Sequence, residues 1–218
     1  MSKKPRIAVV LSGCGVYDGA EIHEAVMTLL AIDRHGGEAV CFAPNVDQMH
    51  VVDHLTGQPT GERRNVLVES ARIARGAISD LASFRAADVD AVVFPGGFGA
   101  AKNLCSFAVD GPECKVEPSV DAAIKAMRFA GKPIGALCIA PALLARVLGR
   151  GEVTIGNDEG TAKAIEAMGA KHTVAGHGQA VVDQGLKVVT SPCYMLDATI
   201  AQIADGADAV VTALLKLV

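Results

Sequence analysis

Lys132-Pro133-Ile134-Gly135-Ala136-Leu137-Cys138-Ile139-Ala140-Pro141-Ala142-Leu143-Leu144-Ala145-Arg146 reads as a strand that turns directly into a helix, with a cysteine at the joint. The apolar run before Cys138 has the length of a buried strand, and the apolar residues after it recur at helical spacing. Ala136 and Ala140 stand two positions away on either side, the spacing of a nucleophile elbow, where backbone passes close by a sharp turn. Pro141 suits a helix's first turn, because the N–H it lacks would have no intrahelical partner there. Free amides and positive helix-end potential would then face the sulfur, so Cys138 is expected to be at least partly thiolate at neutral pH. The plainer alternative is a packing cysteine, since free cysteine is among the most buried residue types.

Working outward, the 218 residues fit one α/β domain over 1–218. Half of them are hydrophobic, enough for a large core, and tryptophan is absent. A net charge of -4 with mixed signs offers no basic stripe for nucleic acid and no polybasic anchor for a membrane. The expected partner is a small molecule. The apolar stretch Ile7 to Leu11 is broken by Ser12 and Gly13, too short for a secretory core of about 7–15 residues. With no such signal read, the six cysteines suggest reduced thiols and a cytoplasmic location. No Cys-x-x-Cys occurs, so no metal is expected.

Along the chain, strands are expected at Arg6 to Leu11, Glu38 to Ala43, Ala91 to Phe94, Ile134 to Leu137 and Val153 to Ile155. Helices are expected from about Asp18–Glu21 until His35-Gly36-Gly37 stops the first, then over Glu62 to Arg75, Ser119 to Ala130, Thr161 to Met168 and Leu196 to Leu217. Gln179 to Val182 and Leu186 to Thr190 read as a hairpin turned at Asp183-Gln-Gly185. Residues 45–61 read as an excursion, and Asn103 to Cys114 as a loop or lid. Alternating strands and helices predict a mostly parallel sheet covered on both faces, with its site outside the carboxyl ends of the strands. Three loops meet there: Ser12 to Ala20, Pro95 to Ala100, and the Cys138 turn. The glycine-rich Pro95-Gly96-Gly97-Phe98-Gly99 lets backbone N–H groups approach whatever lies there. The Gly13-x-Gly15 and Gly97-x-Gly99 pairs fall short of a dinucleotide fingerprint, and no acid for a ribose ends the second strand, so no cofactor is expected.

Phe94-Pro-Gly-Gly-Phe-Gly-Ala-Ala-Lys-Asn-Leu104 followed by Ala136-Leu-Cys-Ile-Ala-Pro141 resembles the DJ/PfpI superfamily, relatives of class I glutamine amidotransferases. More closely, Leu11-Ser-Gly-Cys-Gly-Val-Tyr-Asp-Gly-Ala-Glu-Ile-His-Glu-Ala-Val26, with Glu62-Arg-Arg-Asn65 and Ala71-Arg-Ile-Ala-Arg-Gly76, resembles the ElbB group, named for enhanced lycopene biosynthesis. The resemblance implies a flavodoxin-like three-layer sandwich, a homodimer, and glutathione-independent conversion of glyoxal to glycolate. It places Cys138 as nucleophile, Glu24 as the paired acid, and Gly96, Gly97 and Ile139 at the oxyanion and substrate-binding positions. Ile139 and Gly156 stand where members of the superfamily carry histidines, which leaves the general base open.

The chemistry so implied is thiol addition to an aldehyde, transfer of a hydride or, through an enediolate, of a proton to the adjacent carbon, and hydrolysis of the resulting thioester. Glu24 could carry the proton if burial raises its pKa; its plainer role is a first-turn helix acid. Glu21 competes, and three residues of separation should let one of the two face Cys138. His23 and His177 are further candidates for the proton shuttle, each equally readable as a surface histidine. His50 and His54 have ligand spacing but sit in the excursion without supporting residues. The rival reading is a redox-responsive binding or regulatory protein that affects isoprenoid metabolism through oxidation of Cys138.

Overall fold

The computed structural model describes residues 4–218. Its first half runs β1 (Arg6–Val10), α1 (Ile22–Arg34), β2 (Glu38–Ala43), β3 (Val52–Asp53), β4 (Gln58–Pro59), α2 (Val66–Ile73), β5 (Ile78–Asp80), β6 (Ala91–Phe94), α3 (Phe98–Lys102) and α4 (Phe107–Asp110). The second half runs α5 (Pro118–Phe129), β7 (Ile134–Leu137), α6 (Pro141–Leu148), β8 (Glu152–Val153), α7 (Glu159–Ala167), β9 (Lys171–His172), β10 (Val181–Asp183), β11 (Val188–Ser191) and α8 (Ile200–Leu217). Seven strands form one sheet in the order β10-β11-β7-β6-β1-β2-β5. Every neighbouring pair is parallel except the β10–β11 hairpin.

Both faces of this sheet are covered, which explains why its strands are apolar throughout instead of alternating. Ala8, Val10, Val92 and Phe94 point to the side of α5 and α6, packing with Ile124, Met127, Leu143 and Leu144. Their neighbours Ile7, Val9, Ala91 and Val93 point to the other side, against Ile32 of α1 and Ile203, Val210 and Leu214 of α8. The result is a flavodoxin-like three-layer sandwich.

Local chemistry moved several boundaries. Asn65 caps α2 by accepting the Val68 N–H, so that helix starts after 62–64. A Thr199–Gln202 capping box starts α8 at Ile200, four residues past the expected start. Glu152–Val153 pairs only with Lys171–His172, in a small ribbon outside the main sheet. The edge strand β5 was not expected, because its three residues include Ser79 and Asp80 and show no apolar run. The excursion folds as the β3–β4 hairpin and is tied to the first loop by the Val52 N–H, which donates to Asp18 Oδ2 at 2.7 Å.

Candidate active site

Four neighbouring strands, β11, β7, β6 and β1, deliver the site from their carboxyl ends. After β7 the chain turns sharply at Cys138, whose φ of 60° is left-handed, a strained conformation for a non-glycine residue. The turn is held by the Cys138 N–H, which donates to Ser191 O at 2.9 Å. It ends at α6, with Pro141 as the first helical residue. The strand-to-helix reading of residues 132–146 is therefore what the chain adopts, with the cysteine at the elbow.

Glu24, in the first turn of α1, lies beneath the sulfur with no exposure. Its Oε2 accepts the Gly96 N–H at 2.9 Å and its Oε1 accepts the Tyr194 N–H at 3.1 Å, and the neighbouring Cys138 thiol favours the ionised carboxyl. Burial pushes the Glu24 carboxyl up to about 8, outweighing these hydrogen bonds. Of the two competing acids, Glu24 is the one that faces Cys138. Glu21 caps α1, its Oε2 accepting the Glu24 N–H at 2.7 Å.

The N–H groups of Gly97 and Ile139 are directed at the Cys138 sulfur. Gly96 is different: its amide is committed to Glu24, so it positions the acid instead of offering a free oxyanion donor. It is also where backbone must pass closest to the nucleophile. A Cβ at Gly96 would meet Cys138 Cβ, lie 2.6 Å from Glu24 Oε2 and 3.0 Å from Cys138 Sγ.

The expectation of a thiolate is corrected. Cys138 is only 7% exposed, and burial pushes its thiol well above the ordinary value, with any charge on Glu24 adding to the rise. The two amides lower it but do not prevail. An elbow supplies directed donors, yet four converging chain segments remove more hydration than those donors replace.

A cavity of about 530 Å³ opens beside the sulfur. Its wall includes Glu21, Gly97, Phe98, Phe107, Ile139 and Tyr194. The Phe107 side is contributed by α4, within the segment read as a lid. His23 is not on this wall but reaches one of its residues, with Nδ1 2.9 Å from the Tyr194 hydroxyl. His177 lies in the loop between β9 and β10 and is not on the cavity wall, so the structure does not bring it to Cys138. A histidine at Gly156 has no room either: at φ 90° its Cβ would meet Leu196 Cδ2 at 2.9 Å. His54 is structural, with Nδ1 on Val52 O at 3.0 Å and Nε2 accepting the Tyr17 N–H at 3.2 Å. Among the described residues no cluster of three or more His, Cys, Asp and Glu side chains is arranged to hold a metal. No helix among them is long and apolar enough to cross a membrane.

Tyr194 is the residue that sequence reasoning missed. It follows β11, the strand beside the elbow strand, in a turn where Cys193 also has a left-handed φ of 41°. Its place after a strand's carboxyl end, on Thr190-Ser-Pro-Cys-Tyr194, was the one available signal.

Comparisons with known proteins agree with this architecture. No family model matches the chain. It is 55% identical over 222 residues to the human glutamine amidotransferase-like class 1 domain-containing protein 3, mitochondrial, covering 97% of this chain and 83% of that protein. It is 53% identical to the rat ES1 protein homolog, mitochondrial, over 98% of this chain and 84% of that one. A crystal structure of an isoprenoid biosynthesis protein with an amidotransferase-like domain from Ehrlichia chaffeensis superposes with a TM-score of 0.91 at 36% identity, over 98% of this chain and 100% of that chain. Candida albicans glyoxalase III shares the fold, with a TM-score of 0.59 at 13% identity over 96% of this chain and 97% of its own. The mitochondrial names of the curated relatives overturn the cytoplasmic reading. Reduced thiols point away from an oxidising compartment but do not distinguish one reducing compartment from another. By identity and coverage together, the chain belongs to the family of class I glutamine amidotransferase-like and ES1 proteins.

Proposed function

We propose that this protein is a glutathione-independent, glyoxalase-type enzyme that converts a 2-oxoaldehyde such as glyoxal to the 2-hydroxy acid through Cys138. The observation that carries the reading is the pairing of Cys138 at a left-handed elbow with a buried Glu24 whose carboxyl is pushed up to about 8. A carboxyl with that value can both take and return a proton near neutral pH.

In the reaction, ionised Glu24 takes the thiol proton as sulfur bonds to the aldehyde carbon. The oxygen left negative accepts from Gly97 and Ile139 N–H and then receives that proton, giving a hemithioacetal. Glu24 next removes the hydrogen from the sulfur-bearing carbon, leaving an enediolate, and returns it to the adjacent carbon; the hydroxyl proton on the sulfur-bearing carbon then passes through Glu24 to the neighbouring alkoxide. The product is a thioester of the hydroxy acid, which water hydrolyses to free Cys138. Both oxidation and reduction occur within the substrate, so no external electron carrier is required. One carboxyl serves every transfer, which suits a site where Ile139 and Gly156 replace histidines. A homodimer is the assembly that goes with this reading.

The raised Cys138 pKa weighs against the redox-sensor alternative, because peroxide reacts with the thiolate. The test is incubation of purified protein with glyoxal and methylglyoxal, with chromatographic detection of glycolate and lactate. Cys138→Ser should abolish product, while Cys14→Ser and Cys105→Ser retain most of it. Product formation by Cys138→Ser at the wild-type rate would end the proposal.

A further inference from the structure

The cavity beside Cys138 is far larger than glyoxal requires. Its volume of about 530 Å³ lies within the range of about 300–1,000 Å³ that holds drug-sized ligands, whereas glyoxal has four heavy atoms. Val16, Phe98, Phe107 and Met195 give the wall an apolar surface. The charges on that wall have one sign: Glu21 and Asp158 line it, and no lysine or arginine among the described residues does.

The two carboxylates differ in what occupies them. Asp158 sits exposed at the start of α7, where its Oδ1 accepts the Thr161 N–H at 2.7 Å and this bonding holds its carboxyl below the usual range. Glu21 is 7% exposed. Its Oε2 is engaged by the Glu24 N–H, but Oε1 accepts no hydrogen bond from the described residues. The His23 ring is the cation or donor that comes near, with Nδ1 at 3.8 Å. That is beyond hydrogen-bond reach, and the same nitrogen is 2.9 Å from the Tyr194 hydroxyl.

We propose that the physiological substrate is a carbonyl compound with an apolar body and a protonated amino group, and that the ammonium is seated against Glu21 Oε1. Glu21 Oε1 keeps solvent access, and a neutral apolar ligand filling the cavity would take that access away without supplying a donor. An ammonium restores donors to that oxygen, and the pair strengthens as water leaves. A carboxylate or phosphate would meet two like charges with no compensating cation on the wall, so 2-oxo acids and sugar phosphates are rejected. The carbonyl part of this inference rests on the glyoxalase-type reading; the ammonium part rests on the cavity alone.

Calorimetric titration of phenethylamine, 2-phenylethanol and 3-phenylpropionate into the full chain separates the two. The three share a phenyl ring and a two-carbon arm and do not react with a thiol, so binding is read without turnover. Wild type and Cys138→Ser should both bind the amine about tenfold more tightly than the alcohol, with the carboxylate weakest. Glu21→Gln, which keeps an acceptor for the Glu24 N–H, should bring the amine to within about threefold of the alcohol. Equal or tighter binding of the carboxylate by wild type would overturn the proposal without any variant being needed. So would an amine preference that survives Glu21→Gln. If the amine preference holds but no aldehyde is turned over, the glyoxalase-type reading fails and the ammonium site stands.

Discussion

Replacing Glu24 with glutamine should change how stability depends on pH in a way that no surface carboxylate can imitate. The Glu24 carboxyl is raised from an ordinary 4.5 to about 8 in a fully buried position. A raised pKa means that the folded protein holds the proton more tightly than the unfolded chain. The stabilisation from that proton is complete below pH 4.5, falls as pH rises and the unfolded chain alone ionises, and is gone above about 8. The gap between the two values, at about 1.36 kcal/mol per pH unit, is about 5 kcal/mol. Glutamine does not titrate, so the variant lacks this slope. It carries instead a constant cost: Gly96 and Tyr194 both donate to Glu24, and an amide offers one acceptor oxygen for those two N–H groups. One stranded buried donor costs about 1–3 kcal/mol. Wild type should thus be the more stable near pH 4.5 by about 1–3 kcal/mol, and the variant the more stable at pH 8, where about 4 kcal/mol of the loss has accrued, by about 1–3 kcal/mol. Urea denaturation of both proteins at pH 4.5, 5.5, 6.5 and 8, with slopes checked for constancy, measures the crossing. Parallel stability curves over that window would refute the buried, neutral carboxyl and with it the proton carrier.

In the proposed reaction the same group governs rate. Since Glu24 must be ionised to take the thiol proton, kcat/KM for glyoxal should rise with pH to a midpoint near 8, and a flat or falling profile would contradict this role. Iodoacetamide alkylation of Cys138, followed by peptide mass spectrometry, should inflect above the free-cysteine value of about 8.5, because burial raises this thiol. An inflection below that value would restore the thiolate and the redox-sensor reading. Gly96→Ala, which drives a Cβ into Cys138 and Glu24 Oε2, should cost about 1–3 kcal/mol and remove turnover; an active, equally stable variant would show that this backbone can retreat.

The sequence by itself was enough for the architecture and for the end of the sheet at which the candidate site lies. The strand before Cys138, the helix after it and the turn chemistry at Pro141 are local patterns, set by neighbours within one or two turns of chain. Apolar runs alternating with helical spacing fixed a parallel sheet covered on both faces, and hence the end of the sheet where Cys138, Gly97 and Glu24 had to meet. What required the tertiary structure was the environment these residues create together. The hydrogen bond from Tyr194 to Glu24 joins positions 170 residues apart, and no periodicity in the chain encodes it. Gly96 was expected among the oxyanion donors, but which amide faces the sulfur and which faces the acid depends on how the β6 turn meets α1. The protonation state of Cys138 was misjudged for the same reason. Directed amides belong to the local turn and are legible in sequence, whereas desolvation sums over every segment packed around the sulfur, and that sum exists only once β1, β6, β7 and β11 stand side by side.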